Sequence, residues 1–206
     1  CECLLLINRL SNCLHLNDIQ VELGDARFVD AVLASITSNE KLSKQIKQAL
    51  YQKNLPVYQQ LIKRFEADSV MPFLKIWPRL FGRFTAVSQQ LNKVELPTAA
   101  KQIFAEITQF ASWAQRLPNQ QIMLDLSTAP PQDYYTGLTF KVFMKNISDY
   151  LFSGGRYDQL LKYFQSQLEP AVGMGIDIDL LVDLETLITR NKKHDLLFFE
   201  PDQLAT

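Results

Sequence analysis

The sequence has few of the residues that build disulfide frameworks or metal sites, with three cysteines and two histidines among 206 residues. Cys1, Cys3 and Cys13 are an odd number, which argues against a closed set of disulfides. Their spacing with His15 does not match the common zinc patterns. A lipid-bearing Cys1 would normally precede a polar linker, whereas an apolar, helix-like stretch follows here. We therefore expect a reduced cytoplasmic protein with no metal and no cofactor.

The sequence also lacks an excess of charge, a long apolar run and a nucleotide motif. Its 21 basic and 22 acidic side chains give a formal net charge of -1, which argues against a globally basic nucleic-acid binder. No apolar run approaches the roughly 20 residues of a membrane span. Gly173-x-Gly175 lacks the third glycine of a dinucleotide fingerprint, and there is no Walker motif. We expect these two glycines to let a helix pack closely on a sheet.

Hydrophobic residues make up 47% of the chain, enough for a buried core, and their periodicity changes along it. The first part predicts a helix at 3–14, a strand at 19–23 and a helix at 27–36. The middle part contains Gly82 as its only glycine and predicts helices at 40–52, 55–67, 70–81, 83–92 and 98–116. We interpret the aromatic side chains of this middle part as core rather than as a binding platform.

The last part predicts mainly strands, at 122–126, 138–144 and 150–152, then a turn at 153–155, a helix at 156–167, a buried strand at 171–175, a helix at 176–189 and a strand at 196–199. Strands separated by turns beside a block of helices favour an α+β fold with an antiparallel sheet. We assign 1–39 and 118–190 to one partial domain, 40–117 to a helical insertion, and 191–206 to a tail or the start of a further segment.

Two short segments carry chemical information: Asp133-Tyr134-Tyr135-Thr136-Gly137 and Gly154-Gly155-Arg156-Tyr157-Asp158. Adjacent tyrosines can place hydroxyls and rings at the mouth of a sheet. Paired glycines allow a close approach of the backbone, and Arg156 and Asp158 can bind a zwitterion or pair with each other. Each segment alone is more typical of an ordinary structural element, such as a turn at a strand end, than of a binding site.

Together and in order, the runs DYYTGLTF, SGGRYDQLL and EPAVGMGIDIDLL resemble histidyl-tRNA synthetase and its paralogues. The resemblance covers roughly residues 15–190 and is strongest in 133–182. It implies a class II aminoacyl-tRNA synthetase-like antiparallel sheet with flanking helices and a helical insertion. It further implies a histidine pocket lined by Tyr134, Tyr135 and Tyr157. The remaining candidate residues for histidine binding are Asp133, Gly154, Gly155, Arg156 and Gly173, with Arg156 fixing the geometry of the pocket.

Two departures from the synthetase pattern bear on function. Pro130 stands where synthetases carry an Arg before the tyrosine pair, and Leu180 stands where their third motif carries another. Both Arg residues handle ATP, and neither replacement brings a charge, so adenylate synthesis should be severely impaired.

This combination resembles the regulatory subunits of ATP phosphoribosyltransferase. The resemblance implies a non-catalytic protein of histidine biosynthesis. Such a protein binds histidine as an effector and assembles with short-form catalytic subunits into a hetero-octamer. The catalytic partner condenses ATP with phosphoribosyl pyrophosphate, and the regulatory subunit activates it and conveys feedback inhibition. No tRNA and no membrane is expected as a partner.

Two alternatives stay open. The first is a divergent or truncated histidyl-tRNA synthetase. The second is a decayed fragment or a stand-alone interaction module. The first two class II motifs are not found in the sequence. We therefore expect the chain to represent the later portion of a larger domain, without its N-terminal part.

Overall fold

The computed structural model describes residues 2–130, 132–145, 147–163 and 169–190, with the side chains of residues 163 and 185–190 excepted. Its residues fall into two units, 1–176 and 177–206. The helices of the first unit are α1 (Glu2–Cys13), α2 (Phe28–Ile36), α3 (Glu40–Tyr51), α4 (Leu55–Ile62), α5 (Met71–Ile76), α6 (Phe84–Leu91) and α7 (Thr98–Ala114). The second unit contains α8 (Ile178–Arg190). No helix in the described ranges is long and apolar enough to cross a bilayer.

One sheet organises the first unit. Its strands are β1 (Ile19–Asp25), β2 (Phe81–Arg83), β3 (Gln120–Asp125), β4 (Leu138–Met144), β5 (Tyr150–Arg156) and β6 (Val172–Ile176), in the spatial order β2-β3-β1-β4-β5-β6. The pair β1 and β3 is parallel and the other neighbours are antiparallel. Parallel neighbours need a long crossover, and α2 to α7 lie within this connection.

The core lies on the apolar face of the sheet. Strand β1 alternates between fully and partly buried residues, which directs Val21 and Leu23 to this face. Helix α7 packs against β1, and α2, which buries Phe28 and Val32, packs against α7. The ring of Trp77 lies 6.3 Å from that of Phe28, and its indole N–H donates to the carbonyl of Leu126 at 2.7 Å.

The elements predicted for the first two thirds of the chain are confirmed, with one addition. Each predicted helix there is present within a few residues, and two end in short 3₁₀ turns, at Lys63–Phe65 and Trp77–Arg79. The short strand β2 was not predicted. It pairs with β3 and leaves Phe81 61% exposed, so the assignment of every middle-part aromatic to the core was wrong at this residue.

The last third differs more from the predictions. The glycine pair predicted as a turn lies inside β5, because its backbone pairs with β4 and β6 on either side. The helix predicted at 156–167 is wrong over residues 156–163, where the strand is followed by a 3₁₀ turn at Leu160–Tyr163. The predicted buried strand at 171–175 is instead β6 at the sheet edge, with Val172 62% exposed. The strand predicted at 196–199 lies outside the described residues.

Candidate functional site

The face of the sheet opposite the core is polar, and its residues form two parallel rows across the strands. Strand pairing aligns Gly24 with Thr139, Thr139 with Gly155, and Gly155 with Gly173. We call these four residues the glycine row. One step along the same face, pairing aligns Glu22, Lys141, Ser153 and Gly175, which we call the charged row. The two rows lie side by side because residues i and i+2 of a strand share a face.

Three tyrosine rings stand over one end of the glycine row. The ring centroids of Tyr134 and Tyr135 are 4.9 Å apart, and that of Tyr157 lies 5.6 Å and 6.2 Å from them, respectively. Tyr135 is 9% exposed and Tyr134 is 40% exposed. Burial, reinforced by the neighbouring Tyr134, raises the pKa of Tyr135 above its usual range, so its hydroxyl stays protonated. This tyrosine cluster offers an aromatic wall with hydroxyls at one end of the polar face.

The glycine row seats the tyrosine cluster because it carries no bulk there. A Cβ at Gly155 would lie 2.8 Å from the ring of Tyr135, and a Cβ at Gly173 would collide with the hydroxyl of Tyr157. Gly173 therefore faces a tyrosine rather than a packed helix. No atom of the described residues lies within 4 Å of a Cβ built on Gly175, so the expectation for these two glycines was wrong. Gly154 lies on the opposite face, where a Cβ would meet the ring of Phe140.

The predicted Arg156 and Asp158 pair with each other. Arg156 Nε lies 2.8 Å from a carboxylate oxygen of Asp158, and the arginine side chain is 53% exposed. The amide of Thr136 donates to the carbonyl of Arg156 at 2.8 Å, and the amide of Asp158 donates to the Thr136 hydroxyl at 3.0 Å. These bonds connect the tyrosine segment to the end of β5 and fix where the cluster sits. Asp133 is exposed at the start of the segment.

The sequence interpretation missed the charged groups of this face. Glu22 Oε1 and Lys141 Nζ lie 3.8 Å apart, with side chains 20% and 21% exposed. Burial, and secondly the charge of Asp125, raise the pKa of the Glu22 carboxyl, and Lys141 only partly offsets this. The signal was present in the alternation of Val21-Glu22-Leu23, which places Glu22 on the face opposite the core.

A hydrogen-bonded group of Lys53, Ser127 and Asp125 lies close enough to Glu22 to act on its charge. The left-handed turn at Lys53 (φ 53°) ends α3 and brings its amine 2.6 Å from the hydroxyl of Ser127. That hydroxyl and the Ser127 amide both donate to Asp125, at 2.9 Å and 2.7 Å. No group of three metal-ligating side chains lies within the described ranges. The site combines the charged side chains of Glu22 and Lys141 with the rings of the tyrosine cluster, which suits an organic ligand that carries both charge and a ring.

Comparison with known proteins places this geometry in a family. Residues 1–181 match the family model for histidyl-tRNA synthetase. The chain belongs to the histidyl-tRNA synthetase family. Its sheet has the class II synthetase-like fold of solved structures in the family, so the predicted fold class is confirmed.

Within the family, comparison with individual relatives is more specific. It is 43% identical over 203 residues to an ATP phosphoribosyltransferase regulatory subunit of Lactiplantibacillus plantarum, covering 98% of this chain and 53% of that protein. A crystal structure described as an ATP phosphoribosyltransferase regulatory subunit/histidyl-tRNA synthetase from Bacillus halodurans matches with a TM-score of 0.68 at 25% identity, over 88% of this chain and 49% of that one.

A third match is to the ATP phosphoribosyl transferase (HisG:HisZ) complex from Thermotoga maritima. Its TM-score is 0.60 at 19% identity, over 84% of this chain and 59% of the matched chain, which supports the fold. The chain spans about half the length of the curated relatives it matches. The predicted likeness to regulatory subunits of ATP phosphoribosyltransferase is thus confirmed.

Proposed function

We propose that this chain acts as part of a non-catalytic regulatory subunit of ATP phosphoribosyltransferase in histidine biosynthesis. In this proposal it binds histidine and activates and feedback-regulates the short catalytic subunit in the cytoplasm. The observation that carries the proposal is the 43% identity to a relative with that name over nearly the whole of this chain. Residues 40–117 would form a helical insertion within the synthetase-like part.

Two positions argue against adenylate chemistry. Pro130 lines the cleft that contains Glu22 and Lys141, so the position that carries an Arg in the synthetase pattern contributes no charge to this cleft. Leu180 lies in the first turn of α8, where its amide donates to the carboxylate of Asp177 at 2.9 Å. Neither side chain can stabilise a phosphate. These two positions therefore favour binding of an amino acid over its activation.

The tyrosine cluster supports histidine as the ligand. Imidazole is a flat, polar aromatic ring that packs on tyrosine rings. Its N–H can donate a hydrogen bond to a tyrosine hydroxyl, and its other nitrogen can accept one from such a hydroxyl. We propose that Tyr134, Tyr135 and Tyr157 contact this ring over Gly155 and Gly173. In this proposal Gly154 and Arg156 shape the surrounding backbone, and the exposed Asp133 contacts the imidazole.

Regulation requires that histidine bind two states of the assembly with different affinity. The segment of Tyr134 and Tyr135 is joined to β5 by the bonds of Thr136 with Arg156 and Asp158. A ligand that orders the tyrosines thus also orders this connection. We propose that this link carries the histidine signal toward the catalytic partner.

The test is reconstitution with a short-form catalytic subunit. Formation of phosphoribosyl-ATP is measured with the catalytic subunit alone, after adding this chain, and after adding histidine. We expect stimulation by the chain and inhibition by histidine only in the mixture. Tyr134→Ala should weaken the inhibition, whereas Phe81→Ala, which removes an even more exposed aromatic ring from the far edge of the sheet, should not. Absence of both complex formation and stimulation would contradict the proposal.

A further inference from the structure

Glu22 and Lys141 form an ion pair whose charged atoms lie farther apart than in a direct hydrogen bond. They face each other across β1 and β4, and their nearest charged atoms are 3.8 Å apart. A tight charge-assisted hydrogen bond between such groups measures about 2.7–2.9 Å. Both side chains are about four-fifths buried, so the charges have left bulk water without a short bond to each other. Each can therefore accept a second partner of opposite charge.

The other carboxylates that line this cleft already have partners in the chain. Asp25 accepts two hydrogen bonds from the guanidinium of Arg27, at 2.7 Å and 2.9 Å. Asp125 accepts from the amide and hydroxyl of Ser127. Exchange of partners is thus easier for the pair of Glu22 and Lys141 than for these better-bonded groups.

The dimensions of the cleft limit what can enter it. The space enclosed by Glu22, Asp125, Lys141 and their neighbours is about 20 Å³. That volume admits one water-sized polar group such as a primary ammonium, and it excludes an imidazole ring. A ligand must therefore place its ammonium here and keep its carboxylate and its ring outside the enclosed space.

The tyrosine cluster lies at a suitable distance for that ring. Lys141 pairs with Ser153, so Gly155 is its diagonal neighbour on the same face, at about 7–8 Å between backbones. The ring of Tyr135 covers Gly155. Lys141 Nζ also lies 6.0 Å from the ring centroid of Tyr150. The charged pair and the aromatic wall therefore lie within the reach of one amino acid.

We infer that Glu22 and Lys141 are the residues that recognise the zwitterionic end of a free α-amino acid. The Glu22 carboxylate accepts hydrogen bonds from the ammonium, and the Lys141 ammonium binds the carboxylate. The inference rests on the proposed binding of histidine and specifies which end of the ligand meets which strand. Because Pro130 brings no charge to the same cleft, Lys141 in its lining is a cation available to a ligand carboxylate at the mouth of the cleft.

The test is isothermal titration of the full chain with four ligands: histidine, histamine, which lacks the carboxylate, imidazole lactate, which lacks the amine, and imidazole. We expect histidine to bind most tightly. Glu22→Gln should weaken histidine about 10- to 100-fold, as expected for one charge-assisted hydrogen bond, and leave imidazole lactate unchanged. Lys141→Gln should weaken histidine by a similar factor and leave histamine unchanged.

Matched controls are available elsewhere in the chain. Glu106→Gln removes a negative charge from the pair with Arg27, and Lys47→Gln removes a positive charge from the pair with Asp30. Neither pair lines the cleft, so both variants should leave histidine binding unchanged. Circular dichroism checks that each variant is folded. Because burial disfavours the charged form of Glu22, Glu22→Gln is expected to fold.

The outcomes separate the inference from the function on which it rests. If histidine binds and both cleft variants retain wild-type affinity, the assignment of Glu22 and Lys141 is wrong while the proposed function stands. Equal losses for all four ligands would also overturn it, because they would indicate a general disturbance of the face. If wild-type protein binds no histidine, the proposed histidine binding fails, and this inference with it.

Discussion

At the scale of single residues, the polar face depends on the missing Cβ atoms of two glycines in the glycine row. Gly155 and Gly173 are opposite each other in β5 and β6, and each lies directly beneath a tyrosine. The absence of a Cβ allows the rings to lie against the sheet backbone. A ligand that stacks on these rings therefore meets a wall held at a fixed height.

Gly155→Ala should destabilise the protein and displace Tyr135. The new Cβ would lie 2.8 Å from both the Tyr135 ring and the carbonyl oxygen of Leu138, which is closer than carbon atoms approach in real structures. Overpacking of this kind costs about 1–3 kcal/mol of the free energy of unfolding. Urea denaturation gives that cost, and near-ultraviolet circular dichroism reports the displaced tyrosine.

Gly175→Ala is the matched control for this substitution. Gly175 lies on the same face in β6, and within the part of the chain that the structure describes no atom comes within 4 Å of a Cβ built there. Its effect should fall within about 0.5 kcal/mol, as for an ordinary surface substitution. Equal stability of the two variants would show that the tyrosine does not rest on Gly155.

The sequence predicted some of these residues and missed others for a physical reason. Tyr134, Tyr135 and Tyr157 were predicted as candidates because they lie in short, recognisable segments, and the fold brings their rings together. Glu22 and Lys141 are 119 positions apart, and only the pairing of β1 with β4 makes them neighbours. Alternation indicates which face each side chain occupies, but the register between strands is set by the folded sheet.

At the scale of elements, the helices of the middle part are the most predictable because their periodicity is local. Asn39 and Asn54 cap α3 and α4 by accepting from the amides of Leu42 and Val57, a signal that the sequence carries. Strand β2 has three residues and exists through its pairing with β3. The glycines in β5 similarly join a strand through their neighbours rather than through propensity.

The contact between Trp77 and β3 connects the middle helices to the sheet, and Trp77→Phe tests it. The indole is fully buried and donates to the Leu126 carbonyl at 2.7 Å, just past the end of β3. Phenylalanine would leave that carbonyl without its donor and leave space where the larger ring had packed. Together these effects should cost about 3 kcal/mol of the free energy of unfolding.

Trp113→Phe provides the control, since Trp113 is only partly buried and contacts Phe110 on the same helix at 5.6 Å between ring centroids. Its cost should stay below about 1 kcal/mol. Both variants are measured by far-ultraviolet circular dichroism in urea, because fluorescence would change with the loss of a tryptophan. A small effect of Trp77→Phe would mean that the contact with Leu126 contributes little.

At the scale of the whole molecule, the fold and the activity are separate questions. The same class II sheet is found in solved synthetases and in a phosphoribosyl transferase complex, so the fold alone does not select between them. The choice depends on individual positions within the shared framework. Pro130 at the cleft and Leu180 in α8 are the two that differ from the synthetase pattern in charge.

We therefore expect this chain to give no histidine-dependent exchange of pyrophosphate into ATP. Adenylate formation concentrates negative charge on the phosphates and the attacking carboxylate, and the loss of one stabilising contact costs about 100- to 1,000-fold in rate. The loss of either cation alone should bring exchange close to background, and here both are missing. A synthetase of the family, measured in the same assay, shows that exchange is detectable. Histidine-dependent exchange above background would contradict the regulatory proposal and favour a divergent synthetase, whereas histidine binding without exchange would support a site that recognises the amino acid without activating it.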